Sequence, residues 1–205
     1  LPAASKPKRI AFLETAGWPS ATDGAKQALD QAREKLQAAD IDVIDRTSSS
    51  AVEGVEVVIA DAQQLSMNIN AWEGHWPLNT YARDMDKSKL STSAVGRLEQ
   101  AQKMTQEQYQ GLIIQREAIR DTYGTLTSAA DLCMTLSAPG SAPVGLASTG
   151  DPIFTVPTSL LGVPSLTLPV LEDEGLPLGL QLIGYVQQDA NLFAAAGAID
   201  SLFHS

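Results

Sequence analysis

The chain has 205 residues, 44% of them hydrophobic and 19% charged, which suits a soluble globular domain or part of a larger one. Its net charge of −10 opposes contact with phosphate backbones, so nucleic acid is not an expected partner. Gly and Pro interrupt every apolar run short of a membrane span, and the single Cys133 cannot close an internal disulfide, which favours a reducing, cytoplasmic compartment.

Leu1–Arg9 is small, polar and basic with no apolar run behind it, so it does not read as a signal peptide. The first residue is not Met, which points to a processed or truncated chain. Arg9–Leu13 is the first predicted strand. From Thr22 to Ala39 the apolar positions Ala25, Ala28, Leu29, Ala32, Leu36 and Ala39 recur at steps of three and four. They predict a helix with one buried stripe and with Lys26, Arg33, Glu34 and Lys35 in water. A second strand is expected at Ile41–Asp45. Strand, helix, strand with short connections is the pattern of a parallel crossover unit.

The middle of the chain reads as mostly helical. Val52–Asn70 is rich in Val, Ile, Ala and Leu, and Trp72, Trp76 and Pro77 close that stretch. Thr105 and Gln108 fit a capping box for a helix that continues through Tyr109, Leu112, Ile113, Arg116, Ile119 and Tyr123 to about Leu126. Ala130–Leu136 predicts a buried strand. Seven of the 11 prolines then fall between Pro139 and Pro177, and only Asp131 and Asp151 are charged between Thr122 and Leu171. Such a stretch suits irregular chain packed on a core, broken by a short helix at Pro157–Leu161. Ser165–Val170 and Leu178–Tyr185 are the last expected strands, joined by a polar turn at Leu171–Gly175, and Asp189 is the expected cap of a final helix. Gly162 suits the residue just past a helix, Gly179 and Gly184 imply close backbone approach, and Gln181 implies a hydrogen bond to neighbouring backbone.

The last third carries a resemblance. Asp131–Pro139, Ala142-Pro143 with Thr149–Phe154, Ser159–Pro169, Gly175–Gly184 and Asp189–Phe193 form five ordered segments that resemble the C-terminal part of the amidase-signature family. The strand–helix–strand unit at the front sits where that family places one, just after its catalytic core. The resemblance implies an α/β fold in which residues 1–205 form the C-terminal portion of one amidase-signature domain, a mixed sheet covered by helices. It also implies cofactor-free hydrolysis of a small-molecule amide. In that mechanism a serine in a Gly/Ser-rich loop attacks the carbonyl, and a second serine on a cis peptide relays the proton to a neutral lysine. Backbone N–H groups hold the oxyanion.

By the same resemblance those catalytic residues lie upstream of Leu1, so no catalytic residue is expected in this chain. Its seven lysines (Lys6, Lys8, Lys26, Lys35, Lys87, Lys89 and Lys103) all stand in polar stretches, and Ser48-Ser49-Ser50 has no flanking glycine and suits a turn or helix cap. Two distant histidines and one cysteine do not make a zinc site. Cys133 is expected to be buried and inert, His75 to be a helix-end or packing residue, and Trp72 and Trp76 to pack in the core or line a channel. The resemblance brings Thr149–Ser159 to the substrate cavity, with Phe154, Thr155 and Ser159 as the candidate contacts. Members of the family that recognise glutamine place an Asp two residues before the Phe. Here Pro152 stands there, with Asp151 one residue off, which favours a general amidase. The alternative is a free-standing, non-catalytic amidase-like binding or assembly module. A homodimer, or association with the missing N-terminal half, is expected to cover the face that a partial fold leaves open.

Overall fold

A computed structural model describes residues 2–204. Five strands form one mixed sheet in the order β2-β1-β3-β5-β4. β1 (Arg9–Phe12) lies parallel to β2 (Asp42–Ile44) on one side and to β3 (Leu132–Leu136) on the other. β4 (Ser165–Asp173) and β5 (Leu176–Ile183) form a hairpin, and β5 runs antiparallel to β3. The hairpin turn is tighter than the five-residue turn expected. Only Glu174 and Gly175 separate the strands, both with positive φ (+54° and +76°), the geometry whose twist matches that of paired strands. Pro169 lies on β4, an edge strand, within an irregularity between Leu168 and Leu171, where its missing N–H breaks no inner ladder. Among the described residues, β2 and β4 are the edge strands.

Helices cover both faces. α1 (Asp23–Ala38) follows the expected stripe, burying Ala25, Leu29, Ala32 and Leu36, with Thr22 as N-cap accepting from the Ala25 N–H. Arg33 is not free in water: its guanidinium lies 4.8 Å from the Phe12 ring centroid and bonds Asp45 at 2.8 Å. The alternation along β1 divides the core. Ile10 and Phe12 face α1 and the last helix, α8 (Asp189–Phe203). Ala11 and Leu13 face α2 (Ser50–Ile59), α3 (Ala62–Glu73) and α6 (Gln106–Gly124). Ser49 caps α2 by accepting from the Val52 N–H, so part of the serine run is a helix cap. The capping box at Thr105 and Gln108 is present.

The Val52–Asn70 stretch divides at Ala60-Asp61, and Trp72 belongs to α3. Pro77 does not end the helical region. It sits in the first turn of α4 (His75–Asp84), where a missing N–H costs no helical hydrogen bond. α4 packs on α5 (Thr92–Lys103), and none of its residues is buried. α7 (Val156–Leu161) ends at Gly162 with φ +67°, as expected of a left-handed cap. Asp189 is the first residue of α8 rather than its cap. Gln188 holds the cap position without a side-chain bond, so Asp189 contributes its negative charge to the first turn instead. No helix among the described residues is long and apolar enough to cross a membrane.

Candidate functional site

β1 leads through α1 to β2 on one side, and its parallel neighbour β3 leads through α7 to β4 on the other, so the connections leaving the carboxyl ends of β1 and β3 diverge. Ligands of open α/β sheets gather in the crevice such a divergence creates. A cleft of about 1080 Å³ opens there, past the end of β3. Its walls are the segment Ser137–Pro143, the loop Ser148–Pro152 with Thr155, the start of β5 at Pro177–Gly179, and Thr22 and Gln63 from the helices.

Each wall is tied to the sheet by named bonds. Ser137 N–H donates to the Gly179 carbonyl at 3.0 Å, and Thr22 N–H to the Pro139 carbonyl at 2.8 Å. Gly179 leaves no room for a side chain: an added Cβ would overlap Thr167 Cγ2 and Ser137 Oγ, so the glycine keeps the floor flat. Below the far wall, Gln181 Nε2 donates to the Phe154 carbonyl at 3.1 Å, the backbone bond expected of a buried amide in an apolar strand. Asp151 Oδ1 accepts from Ile153 N–H at 3.0 Å and starts the 3-10 turn Pro152–Phe154. The outer lip carries Gly145 and Gly150 at φ +88° and +90°, with Val144 and Leu146 fully exposed beside the first.

The structure separates the three expected contact residues. Thr155 lines the cleft, its hydroxyl donating to the Pro152 carbonyl at 3.0 Å. Phe154 is fully buried in the core beneath it, its ring against Gly17. Ser159 is exposed on α7 and is not a lining residue. Among the described residues, Asp151 is the only charged one in the lining, and its serines are Ser137, Ser141 and Ser148. No lysine or histidine lines the cleft among the described residues. Six of the seven lysines are exposed and Lys26 is half-buried, its ammonium 5.8 Å from the Trp18 ring centroid, so none sits in a dry interior. His75 opens α4 and stacks on Trp76, while Trp72 stacks on Tyr109 at 5.4 Å; all lie outside the cleft.

Several titratable groups are buried outside the cleft lining, among them Cys133, Glu56 and Asp173. Cys133 is enclosed on β3 beside the hydroxyls of Tyr123 and Tyr185, and burial pushes its thiol up to about 11. Glu56 accepts from Glu14 N–H at 2.7 Å and lies 3.3 Å from Arg46 Nη1; burial raises its pKa against these bonds. Sequence reasoning missed Asp173, which is 2% exposed at the end of β4. Its position in the acidic string Glu172-Asp173-Glu174 looks like a solvated turn, and nothing local in the sequence sets it apart.

The chain matches the Amidase family over residues 1–193. It belongs to that family. A glutamyl-tRNA(Gln) amidotransferase subunit from Nitratiruptor sp. is 24% identical over 201 residues, 88% of this chain and 46% of that protein. The corresponding protein from Parvibaculum lavamentivorans is 38% identical over 93 residues, 42% of this chain and 19% of that protein. A solved structure described as an amidase superposes with a TM-score of 0.81 at 20% identity, over 97% of this chain and 46% of that one. Fatty acid amide hydrolase superposes with a TM-score of 0.72 at 18% identity, over all of this chain and 42% of that one. At these identities the structures speak for the fold. The chain spans less than half the length of each of these relatives. The α/β architecture, a mixed sheet covered by helices, is that of the amidase-signature family expected from the five C-terminal segments.

Proposed function

We propose that this chain is the C-terminal portion of an amidase and forms one wall of a site that hydrolyses small carboxamides. A serine–serine–lysine set supplied by sequence outside these residues carries the acyl transfer. The observation behind this reading is the cleft at the end of β3. It has the position of a ligand crevice in an open α/β sheet, it lies in an amidase-family fold, and its described lining holds hydroxyls without a lysine or histidine to activate them. Thr155 is the contact residue we assign to this chain, and Phe154 supports its turn from below. Ser159, exposed on α7, would touch a substrate only across a surface that another segment completes. Pro152, at the position where glutamine-recognising members carry an Asp, favours a general carboxamide substrate over glutamine. The proposed partners are that small-molecule amide and the segment that bears the nucleophile. No cofactor is needed for this chemistry.

The test is ammonia release from propionamide and from glutamine. The 205-residue chain alone should release none. The same chain fused behind the first half of the Nitratiruptor relative should release ammonia, faster from propionamide than from glutamine. Release by the chain alone, abolished by Ser137→Ala, would place the nucleophile inside it and overturn the reading.

A further inference from the structure

Asp173 is a buried carboxylate with no lysine or arginine in ion-pair contact among the described residues, an arrangement that is costly unless other groups compensate. Here two hydrogen bonds converge on one oxygen. Thr22 Oγ1 donates to Oδ2 at 2.9 Å and Ser141 N–H donates to the same Oδ2 at 2.8 Å. The other oxygen, Oδ1, abuts Gly24 in the first turn of α1, where the helix dipole favours negative charge. Two glycines are shaped around the group. A Cβ on Gly24 would overlap Oδ1, and a Cβ on Gly140 would come within 2.8 Å of Oδ2 and 2.7 Å of Thr22 Cγ2. One side chain thus joins three segments: the end of β4, the N-terminus of α1, and the strip Gly140-Ser141. Thr22, Gly140 and Ser141 all line the cleft, and Asp173 itself does not. Thr22 closes the loop by donating its N–H to Pro139 and accepting the Ala25 N–H at its hydroxyl.

We infer that Asp173 is a positioning residue of the cleft, a carboxylate that clamps the Pro139–Ser141 wall to the start of α1 and to the β4–β5 turn. Its bearing on amide binding rests on the reading of the cleft given above; the clamp itself does not. Both hydrogen bonds meet at one oxygen, so Asp173→Asn preserves them by presenting its carbonyl oxygen there, with the NH2 turned towards Gly24. Asp173→Ala removes both. Gly140→Ala disturbs the clamp from the opposite side while leaving the carboxylate in place.

Amide hydrogen exchange followed by NMR tests this residue by residue. In Asp173→Ala, exchange at Ser141 and its neighbours in the 139–143 wall should quicken by roughly tenfold or more, the consequence of losing the acceptor of a buried hydrogen bond. Amides of β3 and β5 should stay within about twofold of the parent, since no bond of the central ladder is touched. Asp173→Asn should restore slow exchange at Ser141, and Gly140→Ala should quicken it without change in the carboxylate. A uniform rise across β3 and β5 as well as the wall would make Asp173 a general stability residue and overturn the inference. So would an unchanged Ser141. Titration with propionamide separates the two readings. In the fusion with the first half of the relative, the parent sequence should show shifts at Thr155 and the 137–141 amides, and Asp173→Ala should bind several-fold more weakly. Absence of any shift in the fusion would remove the amide reading of the cleft, while the exchange data alone decide the clamp.

Discussion

Glu56 carries its carboxylate into a nearly dry pocket at the end of β1, where Glu14 N–H and Arg46 favour the charge and the Glu14 and Asp45 carboxylates oppose it. Burial dominates, so its pKa in the folded chain lies above the ordinary carboxylate range. A group raised in this way stabilises the fold fully below its unfolded pKa, and that contribution is lost as pH rises through the folded value. Glu56→Gln keeps an acceptor for Glu14 N–H and removes the charge. As pH rises from about 4 through the raised folded value, the parent should therefore lose more thermal stability than the variant, and parallel Tm–pH curves would contradict the assignment. Cys133 makes the opposite kind of statement. With its thiol pushed up to about 11 and no exposed surface, it should resist a thiol reagent in native buffer and react fully in denaturant. Rapid native labelling would contradict its enclosure between Tyr123 and Tyr185.

At the scale of elements, the termini of helices decide much of the local geometry. Gly162 ends α7 at φ +67°, and a Cβ there would meet Arg120 Nη2 at 2.8 Å, while the Arg120 Nε donates to the Leu160 carbonyl at 3.0 Å. Gly162→Ala should cost about 1–2 kcal/mol in urea denaturation, combining the left-handed conformation with displacement of the guanidinium. A neutral substitution would mean that the α7 cap is not held as described. These elements are legible from the sequence because their signals are local. The α1 stripe has helical period, Thr105 and Gln108 have capping spacing, and Gly162-Val163-Pro164 carries a stop. What escapes is non-local. The break at Ala60-Asp61 lies between two apolar helices, with no Gly or Pro to mark it. Pro77 looks like a terminator because a proline in a first helical turn has the same sequence appearance as one beyond a helix end. Asp173 escapes because its partners stand 151 and 32 residues away. Phe154 is a candidate contact only through the family resemblance, and its burial against Gly17 is a non-local feature that the sequence does not mark.

Across the whole molecule, the sheet order places the cleft. The exits of the parallel neighbours β1 and β3, to β2 on one side and β4 on the other, create the divergence, and the charge-poor, Pro-rich chain after β3 forms the cleft wall. That much is readable as fold class and as an irregular segment on a core, but the wall's contacts with α1 and the β4–β5 turn are not. The family's fold spans about twice this chain in the structures it matches, and the cleft presents hydroxyls with no lysine or histidine beside them in its described lining. On our account the wall is here and the nucleophile is elsewhere. Covalent labelling with a fluorophosphonate, read by intact mass and peptide mapping, tests that division most directly, because only an activated serine reacts quickly. The account predicts an unmodified 205-residue chain, and in the fusion with the first half of the relative a single adduct on a serine of the added half. A stoichiometric adduct on Ser137, Ser141 or Ser148 of this chain would contradict it.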